Sequence, residues 1–253
     1  MDLGIEDIDD NESSFCGLWS RTHRKIDCVE LFSNPNLGDD YFFNRLNINN
    51  YCNDNISDTL NFIKNNYTYG LNNYYIHLIC NNENPITKLN IPKFGTMKIL
   101  SLDVDQRATH SSKHIEIKVV DKDFMNVWID IFCRSFDSME IKNEVTTIIS
   151  QHFNKLTLLI ANYYIDEIRY PVGCCLLFKK NRTIGLYCLG TIHQFRKKGV
   201  ARELISNAAK MVTNDGCDLI ILQALTKERS EEFYKRLGFK TVYKKILYTF
   251  YLN

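Results

Sequence analysis

Residues 185–210 read GLYCLGTIHQFRKKGVARELISNAAK and carry the most informative pattern in the chain. An apolar run rich in strand-forming residues ends near Ile192, and a basic turn that contains Arg196 and Gly199 follows it. From Val200 onward the apolar residues recur at helical spacing, which indicates an amphipathic helix. The stretch therefore predicts a strand, a turn and a helix in immediate succession.

The turn before this predicted helix has the physical character of an anion-binding site. A helix start leaves up to four backbone N–H groups without partners and carries partial positive charge. Gly199 has no Cβ, so a ligand can approach the backbone closely, and three neighbouring basic residues, Arg196, Lys197 and Lys198, add positive charge. Phosphate and pyrophosphate groups suit such a site. The alternative is an ordinary helix start with surface basic residues, because so short a pattern is common by chance.

Two motifs in a fixed order give the second half of the chain a family resemblance. Residues 196–201, RKKGVA, resemble the acyl-CoA loop of the GCN5-related N-acetyltransferase (GNAT) superfamily, Gln/Arg-x-x-Gly-x-Gly/Ala, and lie between a strand and a helix as they do there. Residues 226–239, TKERSEEFYKRLGF, resemble the later family segment in which a helix carrying Tyr precedes Leu-Gly-Phe. The resemblance is specific over residues 172–239 and extends in outline back to His114.

The resemblance implies an acetyl-CoA site. In the family, the loop amides hold the pyrophosphate, and the preceding strand splays from its neighbour and pairs with the pantetheine arm. Carried over to this sequence, the pantetheine contacts fall on Leu189, Gly190, Thr191 and Ile192. The pyrophosphate contacts fall on Arg196, Lys197, Lys198, Gly199, Val200, Ala201 and Arg202, with the side chains of Arg196 and Lys198 reaching phosphate oxygens. The nine cysteines form no Cys-x-x-Cys pair, so we expect no metal.

The resemblance also gives Tyr234 a catalytic role. This residue matches the family tyrosine that protonates the departing CoA thiolate, and a thiolate leaves more easily when a proton arrives. The alternative is a half-buried aromatic residue that packs on the sheet. Two positions depart from the family pattern. Lys227 replaces an Asn, so it meets a phosphate or faces solvent, and His193 replaces a Pro, so it relays a proton or is simply exposed.

The sequence assigns no general base. Asp137 and Glu140 are candidate carboxylates in the loop after the first helix of the second half. Cys188, on the predicted central strand, is a candidate acylated nucleophile, with a buried structural thiol as the alternative. Nothing in the sequence sets a base beside Cys188.

The order of elements along the chain predicts an α/β protein in two parts. Residues 1–12 are acidic and are expected to form a mobile tail. Residues 13–110 predict a smaller α/β domain, interpreted as a degenerate GNAT-like copy because residues 39–48, DDYFFNRLNI, are similar to the N-terminal halves of two-domain members. Residues 113–253 predict the catalytic GNAT domain, with a mixed, mostly antiparallel sheet flanked by helices.

The composition weakens several other classes. The chain has 253 residues, of which 45% are hydrophobic, so it can bury a large core. A formal net charge of +1 argues against nucleic-acid binding over the whole surface, although the basic runs at 179–182 and 196–198 keep RNA as a weak third option. The apolar stretch at 156–165 is too short and too polar to span a bilayer. The nine cysteines form no Cys-x-x-Cys pair, and with the acidic N-terminus they favour a soluble cytoplasmic protein.

Together these observations predict an acetyl-CoA-dependent N-acetyltransferase that moves an acetyl group to a primary amine by direct attack in a ternary complex. Its expected partners are acetyl-CoA and an amine acceptor, with no nucleic acid and no membrane, and a homodimer stays open. The alternative is a non-catalytic acyl-CoA-binding or interaction module with the same fold. Lys227 and the missing base favour that alternative.

Overall fold

The computed structural model describes residues 4–48, 56–79, 86, 89–103, 112–214, 216–228 and 230–253. The helices are α1 Ile5–Trp19, α2 Ile56–Asn66, α3 Met125–Ser135, α4 Lys142–His152, α5 Val200–Asn214 and α6 Glu231–Arg236. The strands are β1 Thr22–Ile26, β2 Val29–Ser33, β3 Arg45–Ile48, β4 Asn73–Ile79, β5 Lys93–Asp103, β6 Ile115–Val119, β7 Leu156–Ile165, β8 Ile168–Lys180, β9 Thr183–Thr191, β10 Leu219–Leu225 and β11 Lys240–Tyr251.

These elements divide into two compact units that interleave along the chain. The first unit takes Met1–Ser14, Ser101–Leu222 and Phe233–Lys240, and the second takes Phe15–Leu100, Gln223–Glu232 and Thr241–Asn253. The sequence placed everything after residue 113 in one domain, whereas the structure groups the C-terminal strand β11 with β4 of the second unit. The sequence-based boundaries between an N-terminal domain and a catalytic domain stay a prediction.

The first unit is a mixed sheet with its strands in the order β10, β9, β8, β7, β6. The pairs β6–β7, β7–β8 and β8–β9 are antiparallel, and β9 pairs with β10 in parallel through the crossover helix α5. This arrangement confirms the predicted mixed, mostly antiparallel sheet flanked by helices.

Close packing sets the positions of α3 and α5 on this sheet. Trp128 of α3 is fully buried, and its indole N–H donates to the Cys175 carbonyl at 2.9 Å. Gly173 of β8 lies under the first residue of α5, where an added Cβ would be 2.4 Å from Cγ1 of Val200. Because no side chain intervenes, the start of α5 approaches the sheet closely.

The second unit repeats part of this topology. Strands β1, β2 and β3 are antiparallel, and β3 pairs with β4 in parallel through helix α2, as β9 does with β10 through α5. Helix α2 buries Leu60 and Ile63 in an apolar core. The sequence between β3 and α2 includes NNYCNDN at 49–55, which has no glycine and no basic residue. The unit therefore repeats a strand–helix–strand crossover without the residues that suit a phosphate loop.

The N-terminal segment differs from the predicted mobile tail, because residues 5–19 form helix α1. Ile8 is buried, and the buried Asn11 side chain donates to the carbonyl of Thr183 at 3.2 Å and accepts from the Tyr187 hydroxyl at 2.8 Å. Buried positions recur every three or four residues, which is the helical period, but two of them are the polar Asn11 and Glu12. Because the segment is rich in acidic residues, the buried face of α1 is not evident from the sequence.

Two predicted strands are shorter than the sequence pattern indicated. Residues 25–32 predict one strand, but Asp27 adopts φ 51° and turns the chain between β1 and β2. Residues 40–48 also predict one strand, but the carboxylate of Asp40 accepts from the N–H groups of Phe42 and Phe43 at 2.7 and 3.0 Å. The resulting turn delays β3 until Arg45. Residues 105–113, DQRATHSSK, are polar and predict a linker, but they lie mostly outside the described residues.

None of the helices in the described ranges combines the length and apolarity that crossing a membrane requires. Among the described residues, six cysteines form no disulfide bond, and all but Cys188 are buried: Cys16, Cys133, Cys174, Cys175, Cys188 and Cys217. Cys28, in contrast, is disulfide-bonded.

Candidate functional site

The site begins where β9 leaves its neighbours. The register between β8 and β9 shifts from Cys174–Gly190 to Leu176–Tyr187, which marks a β-bulge, and Cys188 within it adopts φ 53°. On the other side, the recorded pairing with β10 ends at Ile221–Gly185, although β9 itself continues to Thr191. A bulge and an early end of pairing are the features expected of a strand that splays and exposes backbone groups.

The basic turn that follows β9 has the backbone of a loop built around positive φ angles. Lys197 has φ 63° and Gly199 has φ 89°, a conformation that L side chains rarely adopt. An added Cβ at Gly199 would lie 4.0 Å from its nearest neighbour, so the glycine is required by conformation and not by lack of space. The first helical bond of α5 runs from Glu203 N–H to Gly199 O at 3.1 Å, and the amides before it have no acceptor within the helix.

Arg196 and Lys198 are engaged in this structure differently from the predicted phosphate contacts. The guanidinium of Arg196 donates to the carbonyls of Thr191 at 3.1 Å and Ser135 at 2.9 Å, so it ties the end of β9 to the end of α3. The ammonium of Lys198 lies 4.9 Å from the ring centroid of Phe195 and 5.5 Å from that of Tyr163, a cation–π arrangement. Both side chains therefore support the shape of the loop.

A pocket of about 390 Å³ opens between the end of β9, the start of α5 and helix α6. Its walls include every predicted cofactor residue except Ile192 and Lys198: Leu189, Gly190, Thr191, Arg196, Lys197, Gly199, Val200, Ala201 and Arg202. Ile192 is buried, and its N–H donates to the Val172 carbonyl at 2.9 Å. Four residues that the sequence did not indicate also line the pocket: Ser135, Phe136, Phe195 and Phe233.

Tyr234 also lines this pocket, and the Leu-Gly-Phe motif fixes the helix that carries it. The N–H of Phe239 donates to the Tyr234 carbonyl at 3.1 Å, and that of Gly238 donates to the Lys235 carbonyl at 3.0 Å. Gly238 has φ 95°, so the motif is a Schellman cap that ends α6. The Tyr234 ring also packs edge-on against buried Phe239, with centroids 5.9 Å apart. Its contacts therefore fit both the catalytic and the packing interpretation.

The structure joins two candidates from different parts of the sequence. His193 Nε2 lies 2.9 Å from Oδ2 of Asp137, an exposed carboxylate–imidazole pair at the α3–α4 connection. Glu140 is exposed on the short helical turn before α4. Lys227 has its ammonium 3.5 Å from the ring centroid of Phe94.

The thiol of Cys188 is not among the groups that line the pocket, and its backbone carbonyl accepts from the Cys174 thiol at 3.5 Å. Burial raises the pKa of Cys174 and of Cys175, so both thiols stay protonated at neutral pH. Within the ranges that the structure describes, no group of three or more His, Cys, Asp or Glu side chains could hold a metal ion.

The sequence does not indicate Ser135 and Phe136 as site residues, because their position at the pocket depends on tertiary contacts. They lie at the end of α3, 61 residues before Arg196 in the case of Ser135, and nothing local marks them. The indirect signal is Gly190, where a Cβ would lie 2.7 Å from Ser135 Cβ and 3.0 Å from the Phe136 ring. A glycine inside a strand indicates that another element approaches closely, but it does not say which one.

Comparison with known proteins tests the family resemblance of the sequence. The acetyltransferase (GNAT) family description matches residues 125–239. An N-alpha-acetyltransferase, MAK3, from Arabidopsis thaliana is 30% identical over 146 residues, which cover 47% of this chain and 75% of that protein. The chain therefore belongs to the GNAT family, and the prediction of an N-acetyltransferase is confirmed at that level.

Solved structures extend the likeness in fold to almost the whole chain. A GCN5-related N-acetyltransferase from Kribbella flavida matches with a TM-score of 0.71 at 13% identity, covering 98% of this chain and 96% of that one. A functionally unknown conserved protein from Staphylococcus epidermidis matches with a TM-score of 0.68 at 16% identity, covering 91% and 94%. The GNAT-like fold therefore includes the N-terminal half.

Proposed function

We propose that this chain transfers an acetyl group from acetyl-CoA to a primary amine by direct attack in a ternary complex. The observation that carries the proposal is the pocket in which the end of β9, the first turn of α5 and Tyr234 meet. Family membership supports the reaction class, and the shared pocket supports the roles that we propose for β9, the basic turn and Tyr234.

The pyrophosphate of acetyl-CoA would lie on the amides from Lys197 to Arg202. The positive φ angles of Lys197 and Gly199 shape this turn, and the helix start adds partial positive charge. The pantetheine arm would run along β9 from Leu189 to Thr191, where pairing with β10 has ended. These two segments would set the thioester inside the pocket.

Transfer would then proceed in one addition and one elimination. The amine nitrogen bonds to the thioester carbonyl carbon, and the C–S bond breaks with its electron pair moving to sulfur. Tyr234 donates its phenolic proton to that sulfur, which makes the thiolate a better leaving group. The nitrogen loses a proton as the amide forms, and the Asp137–His193 pair is our candidate to accept it.

A panel of amines would identify the acceptor. Because one relative is named an N-alpha-acetyltransferase, α-amines are the first acceptors to test, followed by lysine side chains and polyamines. Cytoplasmic location and a homodimer stay predictions from the sequence.

Replacement of Tyr234 by Phe tests the mechanism. CoA thiol release in the presence of an amine should fall about 100-fold, in the range that general-acid catalysis contributes, while the Kd for acetyl-CoA should change less than about threefold. Unchanged turnover would remove Tyr234 from the mechanism. A native chain that binds acetyl-CoA but shows no amine-dependent thiol release across the panel would favour the non-catalytic module.

A further inference from the structure

The pocket wall contains a buried hydroxyl group that the family motifs do not explain. Ser135 ends α3, is 3% exposed and lines the pocket. Across the residues that the structure describes, its Oγ has no hydrogen-bonding partner. Buried polar groups are normally paired, so an unpaired hydroxyl in a pocket wall indicates a ligand group that completes it.

The surroundings of Ser135 fix where that ligand group lies. A Cβ placed on Gly190 would be 3.1 Å from Ser135 Oγ, so the hydroxyl lies against the backbone of β9. The Ser135 carbonyl accepts from Arg196 Nη2 at 2.9 Å, and this bond holds the end of α3 against the loop. The hydroxyl is therefore held beside the strand β9.

We infer that the Ser135 hydroxyl donates a hydrogen bond to a carbonyl oxygen of the acyl-pantetheine arm of bound acetyl-CoA. The inference rests on the proposed function, because it takes β9 as the strand that the arm follows. The arm is uncharged and offers amide and thioester carbonyls, which accept from a neutral hydroxyl. The phosphates require the amides and positive charge of the loop instead.

Ser138 provides a matched control. Its Oγ also has no hydrogen-bonding partner among the described residues, it lies three positions further along the same connection, and it is not part of the pocket wall. Ser135→Ala and Ser138→Ala each remove one oxygen atom. Neither change removes an existing hydrogen bond of the described residues, so we expect the melting temperature of each variant to stay level or rise.

The test compares two ligands by titration in the absence of any amine. Acetyl-CoA contains the arm, whereas 3′-phospho-ADP contains only the nucleotide and its phosphates. Ser135→Ala should weaken acetyl-CoA binding about five- to tenfold, the loss expected for one hydrogen bond, and leave 3′-phospho-ADP binding within about twofold. Ser138→Ala should leave both affinities within about twofold.

Three results would overturn the inference. Unchanged acetyl-CoA affinity in Ser135→Ala would show that the hydroxyl does not contact the arm. An equal loss for both ligands would show that the substitution disturbs the loop as a whole. A native chain that binds neither ligand would overturn the proposed function together with this inference, whereas the first two results leave the proposed function standing.

Discussion

Gly199→Ala is the substitution for which the structure makes the sharpest prediction. Gly199 has φ 89°, and an added Cβ would meet nothing closer than 4.0 Å. The cost is therefore backbone strain alone, about 1–3 kcal/mol for a non-glycine residue held in such a conformation. For a chain of this size, that strain lowers the melting temperature by about 2–12 °C.

The same substitution should also weaken acetyl-CoA binding, because the chain relieves the strain by rotating the amides that precede α5. Loss of one amide–phosphate hydrogen bond costs about 1.5–3 kcal/mol, which corresponds to at least about a tenfold rise in Kd. Calorimetric titration with acetyl-CoA measures the affinity, and differential scanning calorimetry measures the stability.

Gly216 supplies the control at the opposite end of α5. It has φ 68°, and an added Cβ there would meet nothing within 4 Å, so Gly216→Ala introduces similar strain away from the loop. We expect a comparable loss of melting temperature with unchanged acetyl-CoA affinity. If both variants lost affinity equally, or if Gly199→Ala bound acetyl-CoA as tightly as the native chain, the assignment of the phosphate loop would be refuted.

Three further predictions concern packing and ionisation. Gly173→Ala places a Cβ 2.4 Å from Val200 Cγ1, so it should lower the free energy of unfolding in urea by about 1–3 kcal/mol. It should also weaken acetyl-CoA binding, because it displaces the start of α5. An unchanged Kd would show that binding tolerates this displacement. Burial raises the pKa of Tyr74 to about 12, so the unfolded chain loses this phenolic proton first as pH rises above about 10. Between pH 10 and 12 the free energy of unfolding of the native chain, measured relative to Tyr74→Phe, should therefore fall by about 1.4 kcal/mol per pH unit. A difference that stays constant over this pH range would contradict the raised pKa. Burial raises the pKa of the Cys174 and Cys175 thiols, so iodoacetamide at pH 8 should modify neither residue in the native chain and both after unfolding. Peptide mass spectrometry measures this labelling. Rapid labelling of the native chain would mean that strand β8 opens.

Much of the first unit follows from local pattern. The run at 183–192 and the helical spacing after Val200 indicate β9 and α5, and the Leu-Gly-Phe step predicts where α6 ends. In these segments the local preference and the tertiary environment favour the same structure, so a single sequence is sufficient.

The sequence does not predict those features that depend on a polar contact or on a contact with a residue distant in sequence. Helix α1 buries Asn11, whose partners are more than 160 residues away, so no local pattern marks it as a core residue. The turn at Asp27 has a left-handed backbone conformation, but the residue is not a glycine that would indicate it. The apolar residues on both sides of Asp27 predict a continuous strand instead. Ser135 reaches the pocket only because α3 packs against Gly190.

The most direct test of the proposed site is amide hydrogen exchange of the native chain with and without saturating acetyl-CoA. We expect slower exchange at the amides from Lys197 to Arg202 and along β9 from Leu189 to Thr191, because bound phosphate and pantetheine groups accept hydrogen bonds from them. If acetyl-CoA bound without protecting these amides, or protected only other segments, the proposed cofactor site would be wrong.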